Sequence, residues 1–349
     1  PFQIKSTISS VFFVIKSLEK YLRIRETLRS SYPSDYKNKI LDLKMSYENI
    51  VQKLQKDEVV LLDGGTGTEL QKRGLDMVPG AWCGPVSLKN ADVLEKVHLD
   101  YIEAGADIIT ANTYASSRIM LREAGYEDQF EEINRVAIET ALRARDKSGQ
   151  KNILVAGSLS HMIPIPEGTD RASKTPPSTD FMEESFEELA MLHKELGCDL
   201  ILLEMMKHPE RINMVMKGAL KTGLPLWAGF SFRENESGEL CCYDDPSISP
   251  QEVLDAMPPE SVDVMGVMHS SANITGRGIE TIQNVWSGPL SAYPDSGFFK
   301  MPDWQFENIL TPQELLDFSK EWYGMGTRIL GGCCGLGPEH IEALSELKS

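Results

Sequence analysis

Val59-Val60-Leu61-Leu62-Asp63-Gly64-Gly65 sets the grammar of the chain: four apolar residues in a row, a carboxylate, then glycines. A short unbroken apolar run bounded by turn residues reads as a strand buried on both faces, the habit of a parallel sheet. Further runs of this kind follow at Asp107–Thr113, Ile153–Ser158, Leu200–Met205, Leu224–Ser231, Val262–His269, Leu290–Tyr293 and Arg328–Gly332. Between them lie segments with helical spacing, among them Asn90–Ala104, Phe130–Arg145, Phe181–Leu196, Pro209–Lys221, Pro250–Ala256, Thr311–Tyr323 and Pro338–Leu347. Asn90 and Thr311 stand at cap positions, and Pro312 and Glu314 supply the residues that favour a first helical turn. This alternation of strands and helices predicts an α/β protein, a single (β/α)8 TIM-type barrel over residues 45–349. An open doubly wound sheet is the competing architecture, but no Gly-x-Gly-x-x-Gly follows the first run.

Composition narrows the partners. The 349 residues carry 35 Lys plus Arg against 52 Asp plus Glu, a formal net charge of -17. Nucleic acid and anionic lipid attract basic proteins, so small-molecule substrates are expected instead, with no nucleic acid and no membrane. No apolar run approaches the length of a membrane span, and Val11–Ile15 is too short for a signal-peptide core. A cytoplasmic location is expected, and oligomeric state is not encoded in composition. The first 44 residues hold nine Lys plus Arg and four Asp plus Glu, a balance of +5 that leaves -22 for the rest. That step marks residues 1–44 as an N-terminal extension, helical or disordered, read as an upstream appendage not native to the fold or a loosely attached helical arm around Ser17–Ser30 in preference to an organelle-targeting peptide, with Met45–Asp57 opening the first helix of the fold.

Active sites of such barrels lie at the C-terminal ends of the strands. The runs end in Asp63, Asn112-Thr113-Tyr114, Glu204, Ser231, His269-Ser270 and Cys333-Cys334. Gly331-Gly332-Cys333-Cys334-Gly335 places two thiols at a strand end, and neighbouring cysteines rarely bridge each other. Two thiolates are half of a zinc site, and a catalytic zinc needs one more protein ligand, for which His269 is the candidate. Against this stands the plainer reading of buried small residues and a hydrogen-bonded histidine. Cys241 and Cys242 fall in a Gly- and Ser-bearing hairpin excursion, and Cys83 and Cys198 lie away from other ligands, so these four read as structural. Asp63 and Glu204 are carboxylates drawn into the barrel mouth, where a substrate ammonium would compensate them. The competing roles are a turn cap for Asp63 and an ion pair with Lys207 for Glu204.

Several of these segments together resemble the homocysteine S-methyltransferase family: Asp63-Gly64-Gly65-Thr66-Gly67-Thr68-Glu69-Leu70, His98-Leu99-Asp100-Tyr101, Ala104-Gly105-Ala106-Asp107, Tyr293-Pro294-Asp295-Ser296-Gly297, Gly331-Gly332-Cys333-Cys334-Gly335 and Pro338-Glu339-His340-Ile341. The resemblance implies a (β/α)8 barrel and a Zn2+ ion that activates the substrate thiol, with no protein nucleophile. It implies ammonium binding by Asp63 and Glu204, and a pocket lined by Asn112, Ser231 and Trp82. In the family the third zinc ligand is a cysteine within a Gly-Val-Asn-Cys motif, whereas this chain reads Gly266-Val267-Met268-His269. Imidazole in place of a thiolate removes one negative charge, which makes the metal a stronger Lewis acid and its bound thiolate less nucleophilic.

The implied reaction moves a methyl group from an onium donor to homocysteine, giving methionine. S-methylmethionine or S-adenosylmethionine is expected ahead of betaine, whose relatives use a long C-terminal arm, and of methylcobalamin, which needs further domains. Trp82, Tyr114 and Trp227 are candidates for an aromatic wall against the cation. A different class is also consistent with the altered Met268-His269 pair: a barrel that binds an amino acid or thiol with retuned or lost methyl transfer. A metal-dependent lyase or hydrolase fits less well, since such sites favour His and carboxylate ligands.

Overall fold

The structure, a computed structural model, describes residues 47–150, 152–164 and 175–348. The expectations for residues 1–44 lie outside the described residues. A helix at residues 47–55, α1, comes first and falls within the segment Met45–Asp57. The strands, in chain order, are β1 Val60–Leu61, β2 Ile108–Ala111, β3 Leu154–Ser160, β4 Leu200–Met206, β5 Leu226–Phe230, β6 Phe232–Glu234, β7 Leu240–Cys242, β8 Val264–Ser271, β9 Leu290–Asp295, β10 Phe298–Lys300, β11 Asp303–Gln305 and β12 Ile329–Leu330. Two pairs, β6 with β7 and β10 with β11, are antiparallel hairpins. The remaining eight form one parallel sheet in the order β1-β12-β9-β8-β5-β4-β3-β2. A parallel bridge between Leu62 and Ile108 closes the ring, with the Asp63 N–H donating to the Ile108 carbonyl at 3.0 Å. Every one of the eight apolar runs overlaps a barrel strand, so the fold is the expected (β/α)8 barrel.

The pleat sorts each run into two cores. Val60, Leu62, Ile108, Leu154, Ala156, Leu200, Leu202, Val264 and Ile329 fill the barrel, while Leu61, Ile109, Val155, Ile201, Leu203 and Leu330 face the helices. Burying each such side chain contributes roughly 1.5–3 kcal/mol, which is why both faces of every strand are apolar. At the N-terminal end α1 plugs the barrel: Tyr47 and Ile50 join the interior cluster, and Trp227 Nε1 donates to the Tyr47 hydroxyl at 3.0 Å. Aspartates just before three strands tie that end together. Asp107 accepts from the Leu61 N–H at 2.8 Å, Asp199 from the Val155 N–H at 2.7 Å and Asp263 from the Leu226 N–H at 3.3 Å.

The helices after α1 are α2 Thr66–Lys72, α3 Ala91–Glu103, α4 Arg118–Glu123, α5 Phe130–Ser148, α6 Thr179–Leu196, α7 Pro209–Thr222, α8 Pro250–Asp255, α9 Ala272–Gln283, α10 Pro312–Gly324 and α11 Pro338–Leu344. Thr311 forms a full capping box with Glu314 at the start of α10. Asn90 does not cap α3 through its side chain, because its amide donates instead to the Val86 carbonyl at 2.9 Å.

Candidate active site

The C-terminal strand ends surround one pocket, and its chemistry centres on His269, Cys333 and Cys334, whose donor atoms all lie within 4.8 Å of one another. Cys333 and Cys334 follow β12 in a loop clamped by backbone bonds. The Gly332 N–H donates to the Asp63 carbonyl at 3.1 Å, and the Cys333 N–H to the Pro294 carbonyl at 2.7 Å. Glycines permit this approach: a Cβ on Gly65 would lie 2.6 Å from the Cys333 carbonyl oxygen, and Gly335 turns with φ +81° beside the Ser296 carbonyl.

His269 arrives from β8, where the register shifts between Met268 and Ser271; β4 shifts likewise between Leu203 and Met206. Such irregularities re-aim side chains at barrel rims. Trp82, Met205 and His269 line the pocket with positive φ values of 44°, 52° and 42°. Each non-glycine residue held there costs on the order of 1–3 kcal/mol, strain characteristic of functional sites. The two bulges share a contact, since the Met205 N–H donates to the Met268 sulfur at 2.7 Å.

The imidazole is held from both sides. Its Nδ1 lies 3.5 Å from Cys333 Sγ, while Nε2 lies 3.5 Å from the Tyr243 hydroxyl and 3.7 Å from Asp295 Oδ2. Hydrogen bonding to Cys334, then to His269, holds the Cys333 thiol well below the ordinary thiol range, and the same contact pushes Cys334 up. Burial lowers the His269 pKa, but Asp295 and Cys333 more than offset it and leave it above its usual value. The three groups bring two sulfurs and one imidazole ring together at a shared point.

Asp63 and Glu204 reach the same pocket, with no cationic partner in hydrogen-bond range among the described residues. Asp63 does not cap the glycine turn through its carboxylate. It crosses to β2, accepting from the Thr110 N–H at 2.6 Å and the Thr110 hydroxyl at 2.8 Å. Glu204 accepts from the Ser158 hydroxyl. It does not pair with Lys207, whose ammonium lies 2.9 Å from Asp244. Burial raises the Asp63 carboxyl to about 7. Burial and then the Cys333 charge push Glu204 up to about 8.

Asn112 and Trp82 line the pocket. The Asn112 amide exchanges bonds with Cys83, accepting from its thiol at 3.1 Å and donating to its carbonyl at 2.9 Å, which brings Cys83 into the pocket wall. Ser231 is placed elsewhere: fully buried, it donates to the Met268 carbonyl at 3.0 Å and supports the β8 bulge from behind. Trp227 lies near the opposite end of the barrel on Tyr47, so it is no part of the aromatic wall. That wall is built by Tyr114, Tyr243 and Trp82 with the β10–β11 hairpin. Trp82 and Phe299 have ring centroids 6.5 Å apart, Phe299 and Trp304 6.2 Å, and Trp304 and His269 5.8 Å. Phe299 and Trp304 carried no sequence signal, because the hairpin that delivers them is a short insertion after β9.

Comparison with known proteins bears on the family and the fold. Residues 60–347 match the family described as Homocysteine S-methyltransferase. Homocysteine S-methyltransferase 4 of Zea mays is 28% identical over 308 residues, covering 82% of this chain and 88% of that protein. Homocysteine S-methyltransferase of Escherichia coli is 27% identical over 310 residues, covering 83% of this chain and 96% of its own length. The crystal structure of the E. coli homocysteine methyltransferase MmuM in its metallated form shares the fold, with TM-score 0.66 and 24% identity over 84% of this chain and 97% of that one. The extent of the match, from the first barrel strand through the last helix, makes this chain a member of the homocysteine S-methyltransferase family and an enzyme of the methyltransferase class.

Proposed function

We propose that the protein transfers a methyl group from a sulfonium donor to the thiol of homocysteine, giving methionine, with zinc held by His269, Cys333 and Cys334. The donor-atom spacing carries this reading. Tetrahedral zinc with Zn–S of ~2.3 Å and Zn–N of ~2.0 Å needs S···S near ~3.8 Å and S···N near ~3.5 Å. The Cys333 and Cys334 sulfurs are 3.9 Å apart, and His269 Nδ1 is 3.5 Å from Cys333 Sγ. Two thiolates with one imidazole suit zinc over harder ions, and three protein donors leave the fourth position of a catalytic site for substrate. A zinc ion held by these three residues would supply the acidity that ionises a thiol, ordinarily with a pKa of ~8.5, at neutral pH.

The protein's own groups orient the reaction. Asp295 and Tyr243 hold His269 Nε2, which leaves Nδ1 directed at the thiols. Asp63 and Glu204 receive the homocysteine ammonium, the counter-ion that these two carboxylates lack among the described residues. Trp82, Phe299 and Trp304 face the sulfonium, an attraction of ~0.5–2 kcal/mol that weakens once the donor becomes neutral. As the substrate sulfur forms its new S–CH3 bond, the donor's S–CH3 bond breaks and the electron pair stays on the donor sulfur. The donor leaves as a thioether, and the thiol proton passes to solvent.

Zinc content and methionine formation from homocysteine with S-methylmethionine test the reading in wild type, His269→Ala and Cys333→Ala. About one zinc per chain is expected, with metal and turnover lost in both variants. Full zinc in His269→Ala overturns the ligand set. Zinc-replete protein that turns over no thiol with S-methylmethionine, S-adenosylmethionine or betaine favours an amino-acid-binding barrel instead.

A further inference from the structure

Two rings of the aromatic wall stand outside the barrel sheet. Phe299 and Trp304 come from the β10–β11 hairpin, where they face each other across the ribbon and bridge the space from Trp82 to His269. The ribbon is a separate two-stranded sheet of three residues a side, and such a hairpin is marginal in water by itself. Its rings keep a fixed place beside the metal ligands only if another element holds it.

That element is α2. Gln71 does not line the pocket, yet its side-chain amide takes both polar groups of one hairpin peptide position. The Trp304 N–H donates to Gln71 Oε1 at 2.9 Å, and Gln71 Nε2 donates to the Trp304 carbonyl at 2.8 Å. An amide used as donor and acceptor on the same residue fixes orientation as well as distance. The adjacent Lys72 ammonium lies 5.7 Å from the Phe306 ring centroid, just past β11. Three residues before Gln71, on the same face of α2, Thr68 donates to the Gly65 carbonyl at 2.9 Å and accepts from the Gly335 N–H at 3.0 Å. One short helix is thus bonded to the thiol loop at Thr68 and to the hairpin at Gln71.

The clamp reaches the two rings through the Trp304 backbone. The Trp304 indole is held in turn by the Ser296 carbonyl, which accepts from Nε1 at 3.0 Å. Asp63 and Glu204, assigned to the acceptor, belong to the barrel strands and their ends and do not move with the hairpin. We propose that Gln71 is a positioning residue for the onium side of the reaction: by clamping Trp304 it holds Trp304 and Phe299 against the sulfonium, while the acceptor side does not depend on it. This rests on the sulfonium-dependent reading above.

Equilibrium binding to the metal-loaded full chain, followed by calorimetry without homocysteine, tests it. The probes are methionine and S-methylmethionine, which share an amino-acid head and differ by one methyl group and the sulfonium charge. Gln71→Met, similar in size but without the amide, should weaken S-methylmethionine about fivefold or more and methionine about twofold or less, with zinc content unchanged. In a Phe299→Leu background, where the wall is already opened at a half-buried position, the effect of Gln71→Met on S-methylmethionine should shrink to about twofold or less. Unchanged S-methylmethionine affinity in Gln71→Met, or an undiminished effect in the Phe299→Leu background, overturns the assignment. Equal weakening of both ligands, or loss of zinc, overturns it too, because Gln71 would then support the fold in general. Binding is read without turnover, so a Gln71-dependent affinity for the sulfonium in an enzyme that moves no methyl group refutes the proposed reaction and leaves the positioning role standing.

Discussion

An amino acid whose ammonium enters between Asp63 and Glu204 must expel protons from them. Burial holds their carboxyls at about 7 and about 8 in the ligand-free enzyme. At pH 7 Asp63 is then about half protonated and Glu204 about nine-tenths, together ~1.4 protons. A bound ammonium favours both ionised forms and opposes the desolvation that raised them. If it restores each pKa to about 5 or lower, binding at pH 7 releases close to ~1.4 protons. The sign follows: protons leave on binding, so affinity rises with pH from ~5 to ~8 and flattens above. Methionine is the ligand of choice, because its thioether has no proton to lose. Calorimetric titrations in buffers of different ionisation enthalpy give the proton count as a slope. Glu204→Gln should reduce release to ~0.5 and Asp63→Asn to ~0.9. Release under ~0.3 in wild type, or a count unchanged in both variants, would show that the ammonium does not meet these carboxylates.

Asp295→Asn should weaken zinc binding by about 10–100-fold in chelator competition, because Asp295 is the carboxylate beside His269 Nε2; equal affinity would leave ring orientation to Tyr243. Gly335→Ala should cost about 2–4 kcal/mol in urea unfolding, since its φ is +81° and a Cβ would lie 2.1 Å from the Ser296 carbonyl oxygen; an unchanged midpoint would mean the thiol loop shifts freely. Met268→Leu deprives the buried Met205 N–H of its sulfur acceptor at about 1–3 kcal/mol, and zinc and methionine affinities should fall together; loss of one alone would contradict a shared support.

The strands were legible because a barrel strand is buried on both faces, which leaves unbroken apolar runs. Arg328–Gly332 still overstates β12, where only Ile329 and Leu330 pair, because the loop is redirected at Gly331. The hairpins β6–β7 and β10–β11 and helix α9 carry weaker patterns: α9 starts directly at the end of β8, and Ser271 at its N-cap makes no side-chain cap hydrogen bond. At the site, strand-end polar residues had to converge, which brought His269, Cys333, Cys334, Asp63 and Glu204 into view. Alternation reports the face of a strand and not the depth along it. Trp227 does point into the barrel, but as the second residue of β5 it lies near the closed end. Lys207 meets Asp244 rather than Glu204 because Asp244 is delivered by an excursion after β5, a contact no local spacing encodes.

Strain and charge in this pocket have a common origin. Bulges at β4 and β8 turn Met205 and His269 out of the regular ladder, and the Met268 sulfur accepts the N–H that the first bulge releases. The carboxylate assigned to the amino acid and the imidazole assigned to the metal thus flank one bonded pair, Glu204 next to Met205 and His269 next to Met268. Displacing one bulge therefore disturbs the other, and the points proposed to hold the acceptor's ammonium and its thiol keep a fixed separation. That constraint matters for methyl transfer, where the attacking sulfur, the methyl carbon and the leaving sulfur must stand in line and a 1 Å error can cost on the order of 100-fold in rate. The positive φ at Met205 and His269 is the local cost of that arrangement, held at two bulky residues that both line the pocket.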